Sequence, residues 1–255
     1  MTFKDIKESI FFYLSVPKCV GCGERLLRRE NVLCEVCLEE YKNVKKRNCS
    51  ICTRSLDRCT CPNKYLDTHY VHKLIKVYRY LPDDALPSNK LIYSLKRDNR
   101  KDVLDMLVEE MYCAISASVK NPSEYLFTNV PRSRKSVVKY GIDHAALLSK
   151  SLAKRFSAEY YQPLISKSKQ QQKKTSGEER LKNASFDIKR GAKDLSGKKV
   201  ILIDDVVTTG ASLAASAMQL KALGAKQIIG AAIAIAYKDR YVPFAKGDRF
   251  LPYKK

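Results

Sequence analysis

The sequence predicts an α/β domain, a mostly parallel sheet flanked by helices, behind a small cysteine-rich module. Two observations carry this. Eight of the nine cysteines fall in close pairs before residue 62. The last third of the chain reads as apolar strand, acidic pair, small-residue turn, alanine-rich helix and second apolar strand. Strands too uniformly apolar to have a solvated face belong to a parallel sheet covered on both sides. A length of 255 residues exceeds the usual single-domain size. The division is placed at 1–66 for an N-terminal helix with the cysteine module, and 67–255 for the larger domain.

The cysteine pairs are Cys19 with Cys22, Cys34 with Cys37, Cys49 with Cys52, and Cys59 with Cys61. Thiolates two residues apart reach one tetrahedral ion from a single turn, and two such pairs close a four-cysteine site. Four pairs therefore predict two Zn²⁺. The Cys59/Cys61 pair is tighter than usual. Spacing leaves open whether adjacent pairs share a metal or first joins third in a cross-brace; sequential pairing is preferred. Closed sulfur sets leave no coordination position for substrate, so these metals are structural. His69 and His72 are then surface or strand residues. Cys113, in the apolar-periodic stretch DVLDMLVEEMYCAI, reads as a buried core thiol.

Lys and Arg total 48 against 27 Asp and Glu, a formal charge of +21, which favours polyanionic partners. Two tetrathiolate zinc sites subtract about 4, leaving the chain strongly basic. At the N-terminus, Phe3, Ile6, Ile10, Tyr13 and Leu14 recur at helical spacing in a run too short to span a membrane. A packed amphipathic helix is expected there, with no stable membrane insertion. The absence of an export pattern and the metal-type cysteine spacing suit a reducing, cytoplasmic setting.

Between the module and the last third, HKLIKVYRYL (72–81) alternates as a strand. Helical spacing follows at 89–96 and 99–118, then a short strand YLFTNV ending at Pro131, a basic turn, and the helix IDHAALLSKSLAKRF. Residues 166–178 hold almost no apolar side chains and read as a long polar loop, a candidate lid.

The most informative stretch runs Val200-Ile-Leu-Ile-Asp204-Asp205-Val-Val-Thr208-Thr209-Gly210-Ala211-Ser212. A buried strand delivers two carboxylates to its carboxyl end, where open α/β sheets bind ligands. Adjacent Asp side chains can hold vicinal ribose hydroxyls and a hydrated Mg²⁺. The following turn opens a helix, whose unpaired N–H groups and dipole cradle a phosphate, with hydroxyls of Thr208, Thr209 and Ser212 as further donors.

These thirteen residues resemble the signature of type I phosphoribosyltransferases. The resemblance implies that Asp204 and Asp205 contact the ribose and Mg²⁺ of phosphoribosyl pyrophosphate (PRPP), and that Thr208, Thr209, Gly210, Ala211 and Ser212 bind its 5′-phosphate. It also assigns pyrophosphate to the loop Pro131, Arg132, Ser133, Arg134 and Lys135. Asp204, Asp205 and Arg132 are its catalytic candidates. The long polar loop, as Ser166–Gly177, is a candidate hood that would close over the bound diphosphate and exclude water.

With a double zinc ribbon ahead of such a domain, the whole chain resembles the ComF family, associated with competence and DNA uptake. Lys96 after LIYSL, Val130-Pro131, Gly141 with Asp143, Gln172 eight residues before Arg180, and Asn183 agree with it. The family's Arg-Gly-Phe-Asn-Gln motif stands here as Tyr140-Gly141-Ile142-Asp143-His144. The resemblance implies a PRPP-binding protein, either transferring ribose 5-phosphate to an acceptor or acting without catalysis on single-stranded DNA or a helicase partner.

Overall fold

The computed structural model describes residues 17–26, 32–81, 86–133, 137–138, 141–166 and 186–236. Among the described residues, four parallel strands form one sheet: β1 (Leu74–Arg79), β2 (Leu126–Asn129), β5 (Lys199–Val207) and β6 (Gln227–Ile235). Their order is β1-β6-β5-β2, with Asp204 beside Ala232 and Asn129 beside Ile203. All four carboxyl ends therefore open at one edge of the sheet. A short antiparallel pair, β3 (Leu164–Ser166) and β4 (Phe186–Ile188), had no distinct pattern in the sequence.

Successive strand residues divide between two hydrophobic clusters, as a period of two requires when both faces are covered. Ile75, Val77, Phe127, Ile201, Ile203, Ile229 and Ile233 pack on one side. The covering helices there are α1 (Glu35–Lys45), α3 (Pro87–Arg97), α4 (Lys101–Ser118) and α5 (His144–Arg155). Leu74, Leu126, Val200, Leu202 and Ile228 face the other side, against α2 (Lys64–Asp67), α6 (Ala211–Ala222), Leu164 and Phe186.

Sequence-read elements recur with modest boundary shifts: the helix expected at 99–118 starts at Lys101, and that at 89–96 spans Pro87–Arg97. The strand read in 72–81 is β1, Leu74–Arg79. β1 is buried on both sides although it is an edge strand, down to Lys76, because cysteine-module residues cover it. Cys113 corrects an expectation. It is exposed, since Met111, Ala114 and Ile115 take the inward face of α4 and position 113 falls on the opposite side. Its thiol lies 3.9 Å from Glu109 Oε1.

The cysteine module is built into this architecture. α1 begins at Cys34 as N-cap and carries Cys37, and its Tyr41 and Val44 are buried in the same cluster as β1 and α3. Cys49, Cys52, Cys59 and Cys61 gather around Leu56 beside β1, where Leu74 N–H donates to Thr60 O at 2.9 Å. The expected helix over residues 3–14, and the loop beyond Ser166 with Gln172, Arg180 and Asn183, lie outside the described residues. Among the described residues no helix is long and apolar enough to cross a membrane.

Candidate functional site

β5 continues through the acidic pair and ends at Val207, so Asp204 and Asp205 stand on its final stretch of extended chain. Val130 N–H donates to Ile203 O at 2.9 Å, which holds the Pro131-Arg132-Ser133 turn beside those carboxylates. Arg132 Nη2 donates to Asp205 Oδ2, and Lys96 Nζ, from the last turn of α3, lies 3.2 Å from the same oxygen. Asp205 Oδ1 accepts from Val206 N–H at 2.7 Å, and Asp204 Oδ1 accepts from Asp205 N–H at 2.9 Å.

These contacts separate the two acids. Burial opposes ionisation of Asp205, but Lys96 and Arg132 together outweigh it and hold its carboxyl below the usual range. At Asp204, burial and then the Asp205 charge push the carboxyl up to about 8. The residue itself stays only partly covered at the end of the strand. A carboxyl pair in which one member resists ionisation fits a divalent cation, whose charge would favour the second carboxylate.

The turn after β5 places Thr208 and Ser212 in solvent, Thr209 half-buried and Gly210 buried at the N-cap of α6. Gly210 has φ +86°, and a Cβ there would stand 2.8 Å from Leu66 Cγ, so both conformation and space demand glycine. Ala211 N–H donates to Thr209 Oγ1 at 3.3 Å. Five sequence-predicted positions thus form one turn at a helix N-terminus, next to the acidic pair.

His144 closes the site from another side. Asp143 caps α5 by accepting from Ala146 N–H at 3.1 Å, and His144 Nε2 lies 2.8 Å from Asn99 Oδ1. Burial, then Arg132, holds its imidazole pKa below the ordinary value. Arg134 and Lys135 lie outside the described residues. The sequence marked Lys96 only as a spaced feature; its ion pair joins residues 109 apart in the chain (205 − 96), a distance no local pattern reports.

The cysteines gather as Cys19, Cys22, Cys34 and Cys37, and as Cys49, Cys52, Cys59 and Cys61. Sequential pairing is the arrangement present. Within each group the sulfurs lie within 4.8 Å of one another, and Cys22 Sγ is 3.7 Å from Cys34 Sγ. Zn–S bonds near 2.3 Å in a tetrahedron require sulfur separations of about 3.8 Å, so both sets fit Zn²⁺. Backbone N–H groups already point at the sulfurs, from Cys34 to Cys19 at 3.2 Å and from Cys61 to Cys59 at 3.3 Å. Lys76 Nζ, buried beside the second set, donates to Cys61 O at 2.6 Å.

Residues 135–252 match the family model described as "Phosphoribosyl transferase domain". No curated protein matches the chain. Among solved structures, a purine phosphoribosyltransferase from Pyrococcus horikoshii Ot3 is similar at 14% identity and TM-score 0.34, over 60% of this chain and 93% of that one. A hypoxanthine phosphoribosyltransferase from Staphylococcus aureus is similar at 12% identity and TM-score 0.36, over 52% of this chain and 62% of that one. The chain carries an α/β domain of the phosphoribosyltransferase type, preceded by two four-cysteine clusters compatible with zinc ribbons.

Proposed function

We propose that this is a ComF-type protein that binds PRPP with Mg²⁺ in the cleft at the carboxyl ends of β2 and β5, and that the cleft serves pentosyl transfer with release of pyrophosphate. The observation that carries the reading is Asp205: a buried carboxylate at the end of a parallel strand, paired with Arg132 and Lys96 from two other elements, five residues before a glycine N-cap. A purely structural acid at that position would not need two cations and an acidic neighbour. It supports a site in which charges are held ready for a charged ligand.

In this reading the hydroxyls and N–H groups of Thr208 to Ser212 grip the 5′-phosphate, and Asp204 and Asp205 accept from the ribose hydroxyls. Asp204 and Asp205 would hold Mg²⁺, which would supply neutralising charge to the leaving group. Asp205 positions Arg132 and Lys96 for the diphosphate, beside Ser133, and the family resemblance adds Arg134 and Lys135 to the same loop. The bond from C1′ to the pyrophosphate oxygen breaks with its electron pair leaving on pyrophosphate. A nucleophile forms the new bond to C1′ and gives up its proton.

The family resemblance adds a cytoplasmic role in DNA uptake. A second reading, a non-catalytic factor that binds single-stranded DNA or a helicase and uses PRPP as a regulatory ligand, is favoured by the formal charge of +21. DNA binding with steep salt dependence, unchanged by Asp204→Asn plus Asp205→Asn, would select it.

Calorimetric titration of the zinc-loaded protein with PRPP tests the main reading. Binding is expected only with Mg²⁺ present, with the double Asn variant weaker by about a hundredfold, as for loss of two charge-assisted contacts. A folded sample with no affinity for Mg²⁺·PRPP overturns it.

A further inference from the structure

We infer that Asn63, on a segment rooted in the second cysteine cluster, is a positioning residue that sets the phosphate loop in its binding geometry; this rests on the PRPP reading above. Asn63 makes two bonds of different kinds. Its Oδ1 accepts from Leu66 N–H at 2.8 Å and caps α2, while its Nδ2 donates to Thr209 O at 3.2 Å, across 146 residues of sequence.

The second bond matters because a peptide unit is planar and trans, so the Thr209 carbonyl and the Gly210 N–H point in opposite directions. Holding the carbonyl toward Asn63 aims the Gly210 N–H away from it, as a phosphate donor must be aimed. Leu66, fully buried, reinforces this from the same segment by closing against Gly210 so tightly that no side chain fits there.

The other end of the segment is fixed. Cys61 lies two residues before Asn63. Thr60 O accepts from Leu74 N–H at 2.9 Å, and Cys61 O accepts from the ammonium of Lys76 at 2.6 Å. Residues 60–66 therefore run as a short strut from the thiolate cluster and the edge of the sheet to the underside of the loop. Closing Cys49, Cys52, Cys59 and Cys61 on a metal fixes one end of that strut, and the loop's donors follow the other.

Asn63→Ser tests the inference, because a serine keeps an oxygen to cap α2 but is too short to reach Thr209 O. Binding of ribose 5-phosphate, Mg²⁺·PRPP and inorganic pyrophosphate is measured on the full-length, zinc-loaded variant and wild type. Loss of one hydrogen bond that aims a donor predicts about fivefold weaker ribose 5-phosphate and PRPP binding. Pyrophosphate affinity and zinc content should stay unchanged. Unchanged ribose 5-phosphate affinity in Asn63→Ser, or an equal loss for pyrophosphate, overturns the positioning role while leaving the PRPP site standing. A wild type that binds neither ribose 5-phosphate nor PRPP fails earlier, at the proposed function itself.

Discussion

At the scale of single residues, the two neighbouring aspartates behave oppositely because they have different partners. Asp205, stabilised as an anion by Lys96 and Arg132, contributes stability that is present above its unfolded pKa and lost as pH falls through its lower folded value. Asp204 has the reverse sign. Its carboxyl is pushed up to about 8, so the folded state holds a proton that the unfolded chain releases near pH 4, and stability declines as pH rises between the two. Urea denaturation should therefore show Asp204→Asn gaining on wild type from pH 6 to pH 9, by about 1–2 kcal/mol after allowance for its partial exposure. Over the same range Mg²⁺·PRPP should bind wild type more tightly as pH rises. A variant whose stability difference is flat with pH would show that Asp204 ionises normally. The residue types of this site were legible in the sequence. Their pairing was not, because Lys96, Arg132 and Asp205 meet only when three separate elements converge.

At the scale of elements, the sequence read what periodicity and continuous apolar runs encode: β1, β2, β5, β6 and the helices between them. It did not identify β3 and β4 as a pair, because strands of three residues are too short to show a period. It also left Asn63-Lys64-Tyr65-Leu66 unassigned, although an Asn is a helix-start signal and Asn63 caps α2 here. α2 has only four residues but carries Leu66 against Gly210. Leu66→Ala should cost about 2–5 kcal/mol, as expected for a fully buried leucine, and weaken PRPP binding as well. Guanidinium denaturation and the PRPP titration on one sample check both. In β1, Lys76 is buried, and among the described residues its ammonium forms no ion pair with a carboxylate. A tetrathiolate zinc site beside it would carry net negative charge and would account for a lysine there. Lys76→Met should then lose zinc from the second cluster to a chelator about tenfold more readily, with the first cluster unaffected. Equal release from both clusters would remove that account.

At the scale of the whole molecule, the cysteine clusters and the sheet share hydrophobic cores. Cys19, Cys37 and Tyr41 are buried with Tyr78, Leu91 and Ile201, and Leu66 is buried with Leu213 and Val200. Zinc should therefore count toward the stability of the sheet domain, and metal analysis of the purified chain should return about two zinc ions per molecule. Chelation should lower a single cooperative melting transition, whereas a sheet domain that melts at an unchanged temperature without zinc would contradict the shared core. The account as a whole depends on where one ligand sits. A crystal structure with PRPP and Mg²⁺ should show the 5′-phosphate in the turn from Thr208 to Ser212, the ribose against Asp204 and Asp205, and the diphosphate at Arg132. PRPP bound elsewhere, with that turn empty, would contradict it.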